Sequence, residues 1–373
     1  MNYVSKKISL RIIVIFLLFS CNTSKERCCD AERELNAGGT IIKLDYVKYS
    51  LRHLKTTIGQ TGWYANFGFQ FLKKNDSIFL WYVNHTVDTL IMVNLFNDRS
   101  IYKSSIGHFI NRHSSHSVLI VNDTMILIDV TKKIFSKLAF KGDFSLLEVA
   151  KRDLKYKLPA NRYLNDNILI NNKFSYKYPN LVLPYGRFDR YNGIGKKCAI
   201  VFNIENDNTY EIIDYPKKYE KCDVKENYPI IKNIGDDVAV VFLKYDEIQL
   251  VRVTDGLVIK KSSPTDFLNA FECFRVEDEE NLALMHKYDL TDEINLNLIS
   301  LKNKLVLVKR LRRKSIDDSL KVGFFLYGES LEYKGFCNTE LPLIARLSTD
   351  YKNGLLILSK DLNAVFYYDF NIY

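Results

Sequence analysis

The sequence contains few of the residues that interrupt secondary structure or cross-link the chain. Its 373 residues include 7 prolines, 16 glycines, 2 tryptophans and 4 methionines, which excludes collagen-like and low-complexity chains. There are 7 cysteines, and the four that lie beyond residue 190 form no Cys-x-x-Cys pair, which argues against zinc-ribbon and thioredoxin-like sites. A Gly-x-Ser-x-Gly nucleophile motif is also missing, as are the spaced acids of a calcium loop. The sequence therefore carries no motif that identifies a reaction or a metal.

Aromatic residues, in contrast, are abundant. The chain has 24 tyrosines and 23 phenylalanines, and 47% of its residues are hydrophobic, so it can bury a large core. Aromatic side chains pack well on sheets, and this composition favours strands over helices. The net charge of +9 includes Lys6, Lys7 and Arg11 near the amino terminus. The basic excess of the remaining chain is therefore too mild to support a functional class.

The amino terminus has the plan of a secretory signal, with a basic segment followed by the unbroken apolar residues 12–19. This run is much shorter than the ~20 residues that a transmembrane helix needs. It ends in Leu18-Phe19-Ser20-Cys21, which resembles the lipobox of bacterial lipoproteins. That resemblance implies that Cys21 becomes the first mature residue and carries the lipid anchor. The alternative is that Cys21 merely follows an ordinary leader.

These observations predict three parts of the chain and a location. Residues 1–20 are a lipoprotein signal peptide, residues 21–39 a flexible tether after the lipidated cysteine, and residues 40–373 a single domain. We expect a protein of the cell envelope, lipid-anchored and in the outer membrane, with its periplasmic or surface face left open. Its expected partners are the membrane, through the anchor, and a glycan or envelope protein. We expect no nucleic-acid partner, cofactor or metal.

Strand-like hairpins recur along the mature chain. Six units begin at residues 77, 117, 197, 237, 281 and 354, and most intervals are about 40 residues or its double, a period typical of β-propellers. We predict an all-β fold, a β-propeller of six blades, or seven if hidden units within residues 167–183 and 322–333 are counted. A β-sandwich or two small β domains is the alternative. Residues 364–370 are expected to pair near the first strand and close the ring.

Other segments have simpler interpretations. Residues 144–155 and 265–274 have helical periodicity. The charged runs 277–280 and 309–314 are typical of solvated loops or edge strands. His108, His113 and His116 favour a solvated loop and strand edge over a metal site, because an extended chain would turn His113 away from the other two. Cys198 lies in a strand-like run, where a buried free thiol is expected.

The lipobox followed by hairpin units resembles the uncharacterised six-bladed β-propeller lipoproteins of Bacteroidota, a domain-of-unknown-function group. The segment Asn-Leu-Val-Leu-Pro-Tyr-Gly-Arg-Phe, residues 180–188, is similar to a mid-chain motif of such proteins. The resemblance covers residues 40–373 and implies a fold and a location, but no reaction.

We therefore predict an envelope-anchored lipoprotein that acts as a binding or scaffolding propeller. An envelope hydrolase or lyase acting on a glycan or lactone from a central pocket is the alternative, and it would require two converging carboxylates or a histidine–carboxylate pair. Loops rich in aromatic and arginine residues suit sugars and acidic groups. The candidate binding residues are Tyr185, Arg187, Asp189, Arg190 and Tyr191. The alternative for this segment is an inter-blade connection whose aromatic residues cover the core.

Overall fold

The computed structural model describes a chain built of β-strands. The structure describes residues 46–51, 70–74, 77–84, 88–97, 101–109, 116–121, 123–156, 162–164, 174–187, 197–216, 229–243, 245–263, 294–302, 304–311, 321–328, 330–339, 343–359 and 361–370. These residues form 25 strands and no helix, and accordingly none of them belongs to a helix that could cross a membrane.

The strands form six small antiparallel sheets arranged in a ring, which is a six-bladed β-propeller. We number the blades in chain order. Blade 1 contains β2 (Gln70–Lys74), β3 (Ser77–Asn84), β4 (Thr89–Asn94) and β5 (Ile101–Ser105). Blade 2 contains β6 (His116–Val121), β7 (Thr124–Asp129), β8 (Ile134–Phe140) and β9 (Leu146–Asp153). Blade 3 contains β10 (Arg162–Leu164), β11 (Ser175–Lys177), β12 (Asn180–Arg187), β13 (Lys197–Asn203) and β14 (Thr209–Asp214).

The second half of the chain repeats this plan. Blade 4 contains β15 (Pro229–Ile234), β16 (Asp237–Phe242), β17 (Tyr245–Arg252) and β18 (Val258–Ser262). Blade 5 contains β19 (Ile294–Leu301), β20 (Lys304–Arg310), β21 (Val322–Gly328) and β22 (Tyr333–Thr339). Blade 6 contains β23 (Leu343–Tyr351), β24 (Gly354–Ser359), β25 (Ala364–Asp369) and β1 (Tyr46–Ser50).

Apolar side chains hold each blade against both neighbours. In β3, Phe79 and Trp81 pack with residues of blade 2, whereas Ile78 and Leu80 pack with residues of blade 6. Successive side chains of a strand point to opposite faces of the sheet, so a continuous apolar run fills two interfaces at once. Similar clusters join the other neighbouring blades around the ring. The apolar second strands are therefore long hydrophobic runs rather than alternating ones.

The two ends of the chain meet in blade 6. β1 pairs with β25, with Tyr46 opposite Tyr368 and Ser50 opposite Ala364. The Tyr46 ring is buried, and its centroid lies 5.4 Å from that of Phe366. This pairing confirms the prediction that residues 364–370 close the ring against the first strand.

The structure confirms the propeller and settles the blade number at six, so seven blades, the β-sandwich and the pair of small β domains are wrong.

The predicted helix at residues 144–155 is also wrong, because β9 occupies most of it and pairs with β8. The predicted helix at residues 265–274 and the first hairpin strand at residues 281–288 lie outside the described residues. The predicted hairpins begin at different positions within their blades, which explains their uneven spacing.

The structure also describes Cys198 and the start of the basic run 309–314. Cys198 is a buried free cysteine whose thiol lies 3.3 Å from the Ile213 carbonyl oxygen, as expected. The basic run 309–314 begins inside β20, the second strand of blade 5, so its interpretation as a solvated loop or edge strand is wrong there. Lys309 is buried, with its amine 5.6 Å from the centre of the Phe325 ring. The acidic run 277–280 lies outside the described residues.

Candidate functional site

The first strands of the six blades surround an axial channel. β2, β6, β15, β19 and β23 and the start of β11 all contribute to its wall, and its volume is about 630 Å³. In each of these sheets the first strand lies at one end of the hydrogen-bonded order, and in blade 3 the short β10 and β11 both pair with β12. The free edge of such a strand offers unpaired backbone N–H and C=O groups. The channel wall can therefore hydrogen-bond a polar ligand through its backbone as well as its side chains.

Polar side chains reach the channel from all six blades. They are Gln70, Lys73, Lys74, Asp123, Ser175, Lys232, Asn233, Asn297, Ser348, Thr349 and Asp350. Apolar residues of the same strands, among them Phe71, Ile120 and Leu298, complete the wall. A concave site of this size, with a few polar groups set in an apolar wall, is the ordinary form of a small-molecule pocket, for which volumes of about 300–1,000 Å³ are typical.

Amide side chains of the wall tie neighbouring first strands together. The Gln70 amide donates to the Val118 carbonyl at 3.4 Å, and the Asn233 amide donates to the Tyr176 carbonyl at 3.0 Å. The Asn297 amide donates to both the carbonyl and the hydroxyl of Ser348, at 3.1 and 2.8 Å. Because these amides are buried or half-buried and bonded, they fix the spacing of the blades around the channel.

The charged groups of the wall differ in how they are compensated. Lys74 forms an ion pair with Asp123 at 3.6 Å, and its amine lies 4.7 Å from the centre of the Phe144 ring. Lys73 is exposed and makes no hydrogen bond or ion pair within the described part of the chain. Asp350 accepts a long hydrogen bond, at 3.5 Å, from the hydroxyl of Thr349.

Lys232 stands apart from the other lysines of the wall. It lies in β15 between Ile231 and Asn233, and among the described residues its amine has no hydrogen-bond or ion-pair partner. Burial lowers the pKa of Lys232 below its ordinary value, and the nearby carboxylate of Asp350 acts in the opposite direction. The amine therefore lies in the channel wall with a distant counter-charge and no direct contact to it.

The candidate residues from the sequence do not meet at this channel. Tyr185 lies in β12 within the cluster that joins blades 2 and 3, and its hydroxyl donates to Glu211. Its ring has almost no surface with which to contact a ligand, which fits the core-covering interpretation of this residue. Arg187 pairs through its backbone with Arg162. Cys21, Asp189, Arg190 and Tyr191 lie outside the described residues.

Sequence reasoning missed Lys232 because it concentrated on the apolar second strands. A usable signal exists in some blades, where the strand before the apolar run carries lysine or an amide, as in QFLKK before SIFLWYVN and PIIKNI before DVAVVF. In a propeller, the strand before the apolar second strand is the one beside the axis. A polar residue inside such a strand is thus a candidate for the channel wall.

The fold is similar to those of several solved structures. A member of the DUF4221 family from Bacteroides vulgatus gives a TM-score of 0.56 at 8% identity, and the match covers 90% of this chain and 98% of that chain. A candidate exported protein of Bacteroides fragilis gives a TM-score of 0.47 at 12% identity, with coverage of 89% and 96%. A candidate 6-phosphogluconolactonase of Bacteroides uniformis gives 0.38 at 9% identity, with coverage of 78% and 76%.

The first of these similarities shows a shared fold, and the two lower scores add nothing to it. No family model matches the sequence, and neither does any curated protein. The function therefore has to be argued from the channel itself.

Proposed function

We propose that the protein is an envelope-tethered binding propeller that holds a polar ligand, the size of one or two sugar units of an envelope glycan, in its axial channel. One observation carries the proposal: a channel of about 630 Å³ is walled by the first strands of all six blades and lined by hydrogen-bonding groups. Sugar hydroxyls both donate and accept, which suits free strand edges with both kinds of group.

The same channel favours a small ligand over a protein partner. A protein would dock on the rim of the propeller, whereas a channel of this volume suits a compact molecule that it can surround. The membrane anchor at Cys21 and the outer-membrane location remain part of the proposal. They are supported by the lipobox.

Binding also fits the charges of the channel better than glycoside hydrolysis does. In the part of the wall that the structure describes, the carboxylates are Asp123 and Asp350. Asp123 is engaged by Lys74 at 3.6 Å, whereas a hydrolase would need its two acids free to face one scissile bond.

A channel-blocking variant tests the proposal. Thr349 lies in the wall and is partly exposed to the channel, so Thr349→Trp should narrow the channel. We expect titration calorimetry to show binding of a disaccharide probe, either digalacturonate or the neutral galactobiose, to the unaltered protein. Thr349→Trp should weaken the binding by about tenfold or more.

The matched control is Thr254→Trp, the same substitution in an exposed turn after β17. It should leave the affinity within about threefold of the unaltered protein. The proposal fails if neither disaccharide binds, or if Thr349→Trp binds as tightly as the control.

A further inference from the structure

Lys232 is a charged residue of the channel wall that forms no hydrogen bond or ion pair with the described residues. Lysine is rarely placed in a protein interior without a partner, because removing an ammonium group from water is costly. The neighbouring strands offer no compensation: on the channel side, β11 contributes Ser175 and β19 contributes Asn297, which are neutral. Asn297 is already bonded to Ser348. The fold therefore retains at this position a cation that it does not use for its own stability.

The other charges near the channel are either engaged or more exposed. Lys177 of β11 is bonded to Asp236 in the turn after β15, and Lys74 of β2 is paired with Asp123. Lys73 of β2 is exposed to solvent, which weakens its pull on a bound anion. Asp350 of β23 interacts with Lys232 only at a distance beyond an ion pair. Lys232 is thus a half-buried cation of the wall that is available to a ligand.

We propose that Lys232 binds an anionic group of the channel ligand, a carboxylate or a phosphate. The inference rests on the proposed function, since it assigns the charge of the ligand that the channel holds. A charge-assisted hydrogen bond in a site shielded from water is stronger than one at the surface. The backbone edges of the first strands would then contact the hydroxyl groups of the same molecule.

The proposal has a consequence for pH. The bound anion favours the ammonium form of Lys232, so ligand binding and protonation of the amine support each other. We expect the affinity for an acidic ligand to fall as the pH rises through the pKa of Lys232. Burial of Lys232 disfavours the ammonium form, whereas the carboxylate of Asp350 favours it. A neutral ligand should show no such fall.

The experiment compares an acidic probe with its neutral match. Digalacturonate and galactobiose differ in their carboxylates, and both are titrated into the unaltered protein, Lys232→Met and Lys260→Met. Lys260 is the control, because it is exposed in β18, the strand of the same blade farthest from the channel. We expect the unaltered protein and Lys260→Met to prefer digalacturonate, and Lys232→Met to lose about tenfold or more in affinity for it. The affinity of Lys232→Met for galactobiose should stay within about threefold of the unaltered value.

Inorganic phosphate and acetate, added as competitors at equal concentration, distinguish the two anionic groups. Stronger competition by phosphate assigns a phosphorylated ligand, and stronger competition by acetate assigns a carboxylated one. If Lys232→Met keeps the full preference for digalacturonate, or if galactobiose binds equally well to the unaltered protein, the inference is overturned while the binding propeller stands. Binding of neither disaccharide would overturn both.

Discussion

At the scale of single residues, the proposed binding of an anion depends on Lys232, a lysine of the channel wall. It lies in β15 beside Ile231, without a direct partner among the described residues. Burial lowers its pKa, so the folded chain holds the proton of this amine more weakly than the unfolded chain does. An apolar residue of similar length would avoid the cost of removing this amine from water.

Because the pKa of Lys232 is lowered in the folded chain, the effect of Lys232→Met on the free energy of unfolding should depend on pH. The unfolded amine has a pKa of about 10.4, and the folded amine has a lower one. Between the two values the unfolded chain binds more protons, so the unaltered protein gains stability as the pH rises through that window. We expect Lys232→Met to be more stable by about 1–3 kcal/mol below the folded-state pKa, with the difference shrinking towards zero as the pH approaches about 10.4.

Urea unfolding of both proteins across a pH series measures this difference. Lys73→Met is the control, because Lys73 is exposed and its replacement should give no pH-dependent change. A stability difference for Lys232→Met that does not change with pH would contradict the account of Lys232.

At the scale of strands, the sequence predicts the apolar hairpins well and the polar strands poorly. Runs such as SIFLWYVN and GLLILS are easily recognised as strands in the sequence. They are apolar throughout because each fills the interfaces on both sides of its blade. The segment of β9 has a helical spacing of apolar residues, but pairing with β8 along its whole length overrides that local preference. The first strands carry polar residues that face the channel, such as Lys232 in β15 and Asn297 in β19, and such mixed sequences stand out less than the apolar runs.

Tight pairing of the last strands predicts a large effect for one glycine. A Cβ at Gly354, the first residue of β24, would overlap the backbone carbonyl oxygen of Tyr368 and lie 2.7 Å from the Tyr367 ring. We expect Gly354→Ala to lower the free energy of unfolding by about 2–3 kcal/mol. Chemical denaturation measures this loss.

The matched control is Gly142→Ala, because Gly142 lies in an exposed turn and a Cβ there would meet no atom within 4 Å. Its effect should stay within about 0.5 kcal/mol. Equal effects of the two substitutions would contradict the described packing of β24 against β25.

At the scale of the whole molecule, the ring explains why the ends of the chain meet. β1 supplies the fourth strand of blade 6, and Tyr46 packs into the cluster between blades 5 and 6. The propeller could be predicted from the recurrence of hairpins, because each blade must bury the two apolar faces of its sheet against its neighbours. The channel could not be predicted from the sequence, since it forms only when six separate first strands are brought around one axis.

The anchor belongs to the same scale, because it would determine where the whole propeller works. We expect the intact protein to fractionate with membranes through the lipid on Cys21, and Cys21→Ala to appear in the soluble envelope fraction. Ser20→Ala, which keeps a small residue before the cysteine, is the control and should remain membrane-bound. Retention of Cys21→Ala on membranes would contradict the lipobox interpretation.

The central claim is that the axial channel binds an acidic ligand, and a crystal structure of the protein with digalacturonate tests it most directly. The account predicts electron density for the sugar in the channel formed by the first strands of the six blades, with a carboxylate oxygen within hydrogen-bond distance of Lys232 Nζ. Sugar density on the outer rim of the propeller, with the channel holding only solvent, would contradict it.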